Sequence, residues 1–299
     1  MTIQNLFNED GAIFMGARRD KNNCSIGIFG VNYDGTTSFK PGARFGPSAI
    51  RNVSQSLETF CPRLEKDLEE IKYIDFGSLS FDLNTTESLV NQVSVATEHL
   101  RENNLKPLIF GGEHSITTGA IRALIKEYPN LILLQLDAHA DLRDSYGNNQ
   151  HSHACTMKRC MEILPNKTIF QVGIRSGTKE EFQEMKDNNQ LINFRTGDNC
   201  KNLVERLHSL RNYPIYLTID LDWFDPSLLP GTGTPEPGGF FWHDFETIIK
   251  ALNSFNIIGG DIVELAPEID SSGVSSVVAA KVARSLIMTL DNNSEKELS

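Results

Sequence analysis

An α/β fold built on a parallel sheet is what this 299-residue sequence predicts, and three observations predict it. Short apolar runs rich in β-branched residues recur along the chain, each bounded by turn-forming residues. Segments with the apolar spacing of amphipathic helices fall between most of them. The best of the runs are apolar without interruption, as strands are when helices cover both faces of a sheet. About eight strands in βα alternation result. Periodicity leaves two closures standing, an open sheet with helices on both faces and a closed (β/α)8 barrel. In both, working groups belong at the C-terminal ends of strands.

Taken in order, residues 1–23 show no clean period and read as an irregular arm that packs on a neighbour. Ser25 to Val31 is the first strand. Asn32 to Gly46, rich in Gly, Thr and Ser and carrying Pro41-Gly42, reads as a loop, and Pro47 suits the first position of a helix running through Leu57. Ile71 to Phe76 is the second strand. A helix from about Asn84 to Asn104 follows, with Leu89, Val93, Ala96 and Leu100 on the face that covers the sheet. Pro107 to Gly111 is the third strand; it breaks on Gly111-Gly112 into Glu113-His114-Ser115 and then a helix to Tyr128. Leu131 to Asp141 holds the fourth, followed by a polar loop to Gln150, then His151-Ser152-His153 and a helix to about Ile163. Thr168 to Ile174, Gln190 to Phe194, Ile215 to Leu221 and Ile257 to Val263 complete the strands. No repeat, low-complexity tract or linker divides the chain, so 1–299 reads as one domain.

Composition narrows the function. Acidic residues outnumber basic ones 39 to 28, for a net charge of −11. With no Lys/Arg cluster, that balance argues against nucleic acid or an anionic membrane as partner and favours a cationic small molecule. The five cysteines, Cys24, Cys61, Cys155, Cys160 and Cys200, are scattered and include no C-x-x-C pair, so neither a disulfide framework nor a thiolate metal site is expected. No signal-like N-terminus or segment of membrane-spanning length stands out, and a soluble, cytoplasmic protein is the expectation.

The chemistry concentrates where the apolar run Leu131–Leu136 meets Asp137, His139 and Asp141. On a strand, residues two apart share a face, so all three would point to one place. Burying two carboxylates and an imidazole together costs several kcal/mol unless a cation sits between them. Ile215 to Leu221 repeats the device with Asp220 and Asp222, and His114 stands at another strand-to-helix turn. Four carboxylates match the charge of two divalent cations, and oxygen-rich ligands with two imidazoles and no thiolate suit Mn2+. Two such ions about 3.5–4 Å apart activate a water, which makes hydrolysis the expected chemistry.

These residues sit in recognisable company: Gly-Gly-Glu-His-Ser at 111–115, Asp-Ala-His-Ala-Asp at 137–141 and Ser-His-Ala at 152–154. Asp-Leu-Asp-Trp-Phe-Asp-Pro follows at 220–226, Gly-Thr-Pro-Glu-Pro-Gly-Gly at 233–239 and Glu264-Leu-Ala-Pro beyond it. With Asp34-Gly-Thr-Thr and the Pro41–Arg51 segment, the chain from about Cys24 to Leu290 resembles the ureohydrolases, the arginase and agmatinase family, with the closer likeness on the agmatinase side. The resemblance implies an open, three-layer parallel eight-stranded sheet with helices on both faces. It implies two Mn2+ per subunit, one held by His114, Asp137, Asp141 and Asp220, the other by His139, Asp137, Asp220 and Asp222. A metal-bridging hydroxide would attack the guanidinium carbon, with Asp141 helping a proton to the departing amine, His153 shuttling protons and Glu264 pairing with the guanidinium. A homo-oligomer, a trimer or a pair of trimers, is implied as well.

The resemblance also bears on the substrate. Arginases hold the α-amino group through an acid shortly after a Gly-Leu-Arg motif, and the matching stretch here, Gly173-Ile-Arg-Ser-Gly-Thr178, has none. Agmatine, hydrolysed to putrescine and urea, is therefore expected over arginine. Lys40 stands where the family commonly has Arg. Arg143, near the mouth, motivates the alternative of an acid-tailed substrate: guanidinobutyrate, guanidinopropionate, formimidoylglutamate or arginine itself. A catalytically silent, metal-stabilised scaffold is the remaining alternative.

Overall fold

The structure, a computed structural model, describes residues 6–8, 11–81, 85–165, 168–192, 201–208 and 210–291. Its strands are β1 (Phe7–Asn8), β2 (Ile26–Gly30), β3 (Phe60–Cys61), β4 (Lys66–Asp67), β5 (Tyr73–Leu79), β6 (Lys106–Phe110), β7 (Ile132–Leu136), β8 (Ile169–Val172), β9 (Leu191–Ile192), β10 (Pro214–Asp220) and β11 (Asn256–Val263). Its helices are α1 (Gly46–Ser54), α2 (Thr86–Glu102), α3 (Thr117–Leu124), α4 (Thr156–Ile163), α5 (Lys179–Asp187), α6 (Lys201–His208), α7 (Trp242–Leu252) and α8 (Val274–Asp291). Apart from the β3–β4 ribbon, the strands form one sheet in the order β1-β5-β2-β6-β11-β10-β7-β8-β9. Every pairing in it is parallel except that of β1 with β5. The sheet ends at β1 and β9, so it is open and not a barrel.

Eight of the nine strands are the parallel set expected. The ninth, β1, comes from the stretch read as an irregular arm on a neighbour. Phe7 packs on Phe29 and Phe76 with ring centroids 5.5 and 5.3 Å away, and Phe14 on Phe110 at 5.6 Å, so these residues fold onto their own chain's sheet. Pairing with β1 also carries β5 on to Leu79, past the expected end at Phe76. Asn193 and Phe194, at the end of the strand expected from Gln190, lie outside the described residues, as does Asn84 before α2. That helix is capped instead by Thr85, whose hydroxyl accepts from the Ser88 N–H.

Burial on both faces explains the uninterrupted apolar runs. Along β7, Ile132, Leu134 and Leu136 join the core shared with Phe245 and Ile248 of α7 and Ala283 and Ile287 of α8. Leu133 faces the other way, toward Leu89 and Val93 of α2, Ile121 of α3 and Met157 of α4. Fully burying such a side chain contributes roughly 1.5–3 kcal/mol. The middle of the sheet is thereby buried on both faces, and β6, β11, β10 and β7 lie side by side there with their C-terminal ends together. Among the described residues no helix is long and apolar enough to cross a membrane. The described cysteines, Cys24, Cys61, Cys155 and Cys160, are free.

Candidate metal centre and active-site cavity

The chain leaving each of those four strands supplies part of one site. After β6, Gly111-Gly112 runs against the backbone of Tyr33. A Cβ on Gly112 would collide with the Tyr33 carbonyl oxygen, which instead accepts from the Glu113 N–H at 2.8 Å. The turn His114–Ile116 then aims His114 inward, fully buried.

After β7 the expected alternation fails. The strand ends at Leu136, with an isolated bridge from His139 to Ser176 beyond it, so Asp137, His139 and Asp141 share no strand face. Asp137 Oδ1 accepts from the His139 N–H at 2.6 Å in a local turn, and Asp141 takes a left-handed backbone with φ 53°. The convergence is achieved by this turn. His114 Nδ1 lies 3.1 Å from Asp137 Oδ2, 3.1 Å from Asp141 Oδ2 and 3.5 Å from Asp220 Oδ2. His139 Nδ1 lies 2.9 Å from Asp222 Oδ2 and 3.8 Å from Asp137 Oδ1. The two oxygens of Asp137 thus face two different histidines. Ligand atoms of His114, Asp137 and Asp141 fall within 4.8 Å of one another, as do those of Asp137, His139 and Asp222. Asp220 ends β10, and Asp222 follows on the turn Leu221–Trp223, its amide donating to Asp220 Oδ1 at 2.9 Å.

Polar groups beneath the cluster set its geometry. His114 Nε2 meets Thr218 Oγ1 at 2.8 Å, and Thr218 donates to buried Asp261 at 2.5 Å. Asp261 also accepts from Thr117 and Tyr216 at 2.8 and 2.9 Å. Nε2 therefore carries the hydrogen in neutral His114. Nδ1, buried, has no hydrogen bond of acceptable geometry despite the carboxylates around it. A lone pair held out toward several carboxylate oxygens is what a divalent cation requires, and a carbonyl or carboxylate behind the other ring nitrogen is its usual support. The donor set fits. Gln135 Nε2 donates to Asp137 Oδ2 at 2.6 Å, while Gln135 Oε1 accepts from Gln171 Nε2, which also donates to the Ala140 carbonyl at 2.9 Å. Arg175 reaches from beyond β8 to the carbonyls of Asp222 and Glu236, at 2.7 and 2.9 Å, and ties down the loop after β10. Sequence reasoning missed all of these. The available signal was a polar residue inside an apolar strand, as with Gln135, Gln171, Thr218 and Asp261.

Crowded carboxylates contend for positive charge. Burial, followed by the charge of Asp222, pushes Asp137 up to about 7. Burial and the charges of Asp222 and Asp137 hold Asp220 well above the carboxylate range. Burial raises Asp222 too, but the charge and hydrogen bond of His139 bring it down to about 2. Burial works against a charge on His139, yet Asp222 raises it to about 10. His114 likewise stands well above its ordinary value: burial lowers it, and the nearby carboxylates of Asp137 and Asp141 prevail. Proton and cation compete for these nitrogens.

A cavity of about 180 Å³ opens beside the cluster, lined by Asp141, His139, Asp220, His153, Arg143 and Glu264 among others. Glu264 follows β11 in a left-handed conformation, φ 65°, and its carboxylate accepts from the His114 N–H at 2.8 Å. Burial and the charge of Glu113 hold its pKa well above the ordinary range, and a cation brought beside it would lower that pKa and favour the carboxylate. Two non-glycine residues with positive φ at one site are strained backbone of the kind that functional geometry maintains. His153 lies across the cavity, its ring edge-on to Tyr146 at 6.3 Å. His151 turns away instead, 3.9 Å from Glu87.

Residues 24–289 match the sequence model of the arginase family. The chain belongs to the arginase family. Among its relatives, the agmatinase of Bacillus cereus is 35% identical over 280 residues, covering 93% of this chain and 96% of that one. The N(1)-aminopropylagmatine ureohydrolase of Thermococcus kodakarensis is 40% identical over 247 residues, 81% of this chain and 82% of that one. The crystal structure of the agmatine ureohydrolase of Thermoplasma volcanium superposes with a TM-score of 0.81 at 30% identity, covering 95% of both chains. As in those arginase-family neighbours, a large, mostly parallel sheet lies between helices here.

Proposed function

We propose that this arginase-family chain is a hydrolase of amidino groups whose substrate is agmatine, cleaved with water to putrescine and urea, in the cytoplasm and with two Mn2+ per subunit. The observation that carries the reading is Asp137, whose two oxygens face His114 and His139 and so join two ligand groups into one site. His114, Asp137, Asp141 and Asp220 would hold one ion; His139, Asp137, Asp220 and Asp222 would hold the other. Bound there, the ions would supply a nucleophile at neutral pH by lowering the pKa of water.

The chain's own residues account for the rest. Glu264 binds the guanidinium and turns its carbon toward the cluster; the buried pair is charge-assisted on both sides. Asp141, in its left-handed turn at the cavity floor, passes a proton to the amine as it departs. His153 exchanges protons between cavity and solvent, a task that suits an imidazole near neutral pH. Glu181 lines the cavity, but its oxygens already accept from the Leu142 and Thr178 N–H groups at 2.9 and 2.7 Å. It is not a free anion for an α-amino group, which supports agmatine over arginine. The Thermococcus relative extends the same reading to a longer cationic tail.

One observation favours a second substrate class. The Arg143 guanidinium lies 5.1 Å from the Tyr146 ring centroid at the cavity, and the adjacent Asp144 pairs with Arg159 instead. An acid-tailed substrate would complete that contact. Urea release from Mn2+-loaded protein, compared across agmatine, N1-aminopropylagmatine, arginine, 4-guanidinobutyrate and 3-guanidinopropionate, with formamide release from formimidoylglutamate, separates the classes. The expected result is the highest kcat/KM for an amine-tailed compound, little changed by Arg143→Ala. Preference for an acid, lost by tenfold or more in Arg143→Ala, would move the assignment to the second class. The assembly expected is a trimer or a pair of trimers.

A further inference from the structure

The loop between β2 and α1 approaches His153 with two hydroxyls. Thr36 Oγ1 is 3.0 Å from the His153 N–H and 3.3 Å from His153 Nδ1. On its far side it donates to Glu113 Oε1 at 2.5 Å, while the Thr36 N–H donates to Glu113 Oε2 at 2.6 Å. Ser115 donates to Glu113 Oε1 as well, at 2.8 Å. Glu113 is fully buried. Ser38 Oγ, exposed at the mouth, is 3.3 Å from His153 Nε2.

A hydroxyl has one hydrogen to give and two lone pairs to receive with. The Thr36 hydrogen goes to Glu113, at a length typical of a charge-assisted O–H···O bond. The Thr36 N–H fixes Oε2 as an acceptor, and with Glu113 ionised both hydroxyls donate to Oε1. The remaining lone pairs of Thr36 Oγ1 then face His153, one receiving its main-chain N–H and the other the hydrogen of Nδ1. The ring hydrogen of neutral His153 is consequently on Nδ1. Nε2 is left bare, beside Ser38 and facing the cavity.

We propose that Thr36 is a positioning residue that, backed by Glu113, locks His153 in the Nδ1–H tautomer so that Nε2 exchanges protons between the cavity and Ser38. This rests on the amidinohydrolase reading only for its consequence in turnover; the tautomer stands apart from it. Without the Thr36 hydroxyl, His153 would lose its tautomer and its ring orientation together. The main-chain bond goes with them, since the His153 N–H donates to the same oxygen.

Thr36→Val, near in shape and lacking the hydroxyl, is the test, with Thr36→Ser as the variant that keeps it. In zinc-loaded protein, which is diamagnetic, 15N shifts of His153 should report an Nδ1–H ring in the wild type and in Thr36→Ser, and a mixture or the Nε2–H ring in Thr36→Val. In Mn2+-loaded protein with agmatine, kcat should fall about ten- to a hundredfold in Thr36→Val. KM should stay within about threefold, Mn2+ affinity should be unchanged, and Thr36→Ser should recover most of the rate. An Nε2–H ring in the wild type overturns the proposal, as does Thr36→Val with an unaltered tautomer or an unaltered kcat. Equal loss in both variants, or a loss confined to Mn2+ affinity, overturns it too by making Thr36 a packing residue. A wild type that hydrolyses no guanidino compound would defeat the functional reading while the 15N shifts still decide the tautomer.

Discussion

Three of the liganding side chains are held by neighbours that the reaction itself would not require. His114 has Thr218 and Asp261 behind Nε2, Asp137 has Gln135, and Asp222 accepts from the Ala138 N–H at 3.2 Å and from Thr234 at 3.2 Å. His139 shows the effect of crowding on a ligand. Its pKa of about 10 means that its Nδ1, facing Asp222 at 2.9 Å, carries a proton near neutral pH. A cation must displace that proton to reach the nitrogen. Mn2+ binding at pH 7.5 should therefore release at least one proton per chain, read by titration calorimetry in buffers of different ionisation enthalpy. Affinity should rise with pH up to about 10. Heats that do not depend on the buffer would show that no such proton is displaced. The sign for the metal-free protein is opposite. Because His139 is held above its ordinary 6.5, its pairing with Asp222 stabilises the fold fully below that pH and ceases to as pH rises through about 10. The ligands were legible at this scale because each interrupts an apolar run with charge. Their supports were not: Gln, Thr and Glu have many uses, and only distance shows which of them touches His114, Asp137 or His153.

Among elements, the strands were easier to read than their ends. Uninterrupted apolar runs identify buried parallel strands, but a strand stops where its partner stops, and the partner is set by topology. Leu131–Asp141 shows this: the regular strand ends at Leu136, and the remaining residues form the turn that gathers the ligands. β1 was unreadable for the complementary reason. Two residues carry no period, and what makes Phe7–Asn8 a strand is the edge of β5 and the Phe29 and Phe76 rings beside it. The Gly111-Gly112 turn after β6 was legible as a break but not as a close approach of two backbones. Gly112→Ala should force the β6 turn away from Tyr33 and displace His114 with it. A loss of about 1–3 kcal/mol in urea-denaturation stability is expected, with weakened Mn2+ binding. Wild-type stability and metal affinity in that variant would show that the turn accommodates a methyl group and does not set His114.

Over the whole molecule, the sheet order places β6, β11, β10 and β7 together, although they are far from consecutive in sequence. That crossing puts residues as distant as His114 and Glu264 within one hydrogen bond of each other. The βα alternation was legible, while open and closed sheets were not separable by periodicity; family resemblance pointed to the open form, and β1 and β9 bound it as separate edges. Net charge of −11 suits a protein whose working ligands are cations, and it would draw both metal and guanidinium toward the cavity. The central claim is that one site holds two ions through a shared carboxylate and uses them to release urea. The most direct measurement is a Mn2+ titration of metal-free protein with bound metal and urea release from agmatine followed together, repeated with Asp137→Asn. Two ions per wild-type chain, activity that appears as they bind, and loss of both ions and turnover in the folded variant are expected. Full turnover with one ion, or an Asp137→Asn variant that still binds two ions and makes urea at the wild-type rate, would contradict it.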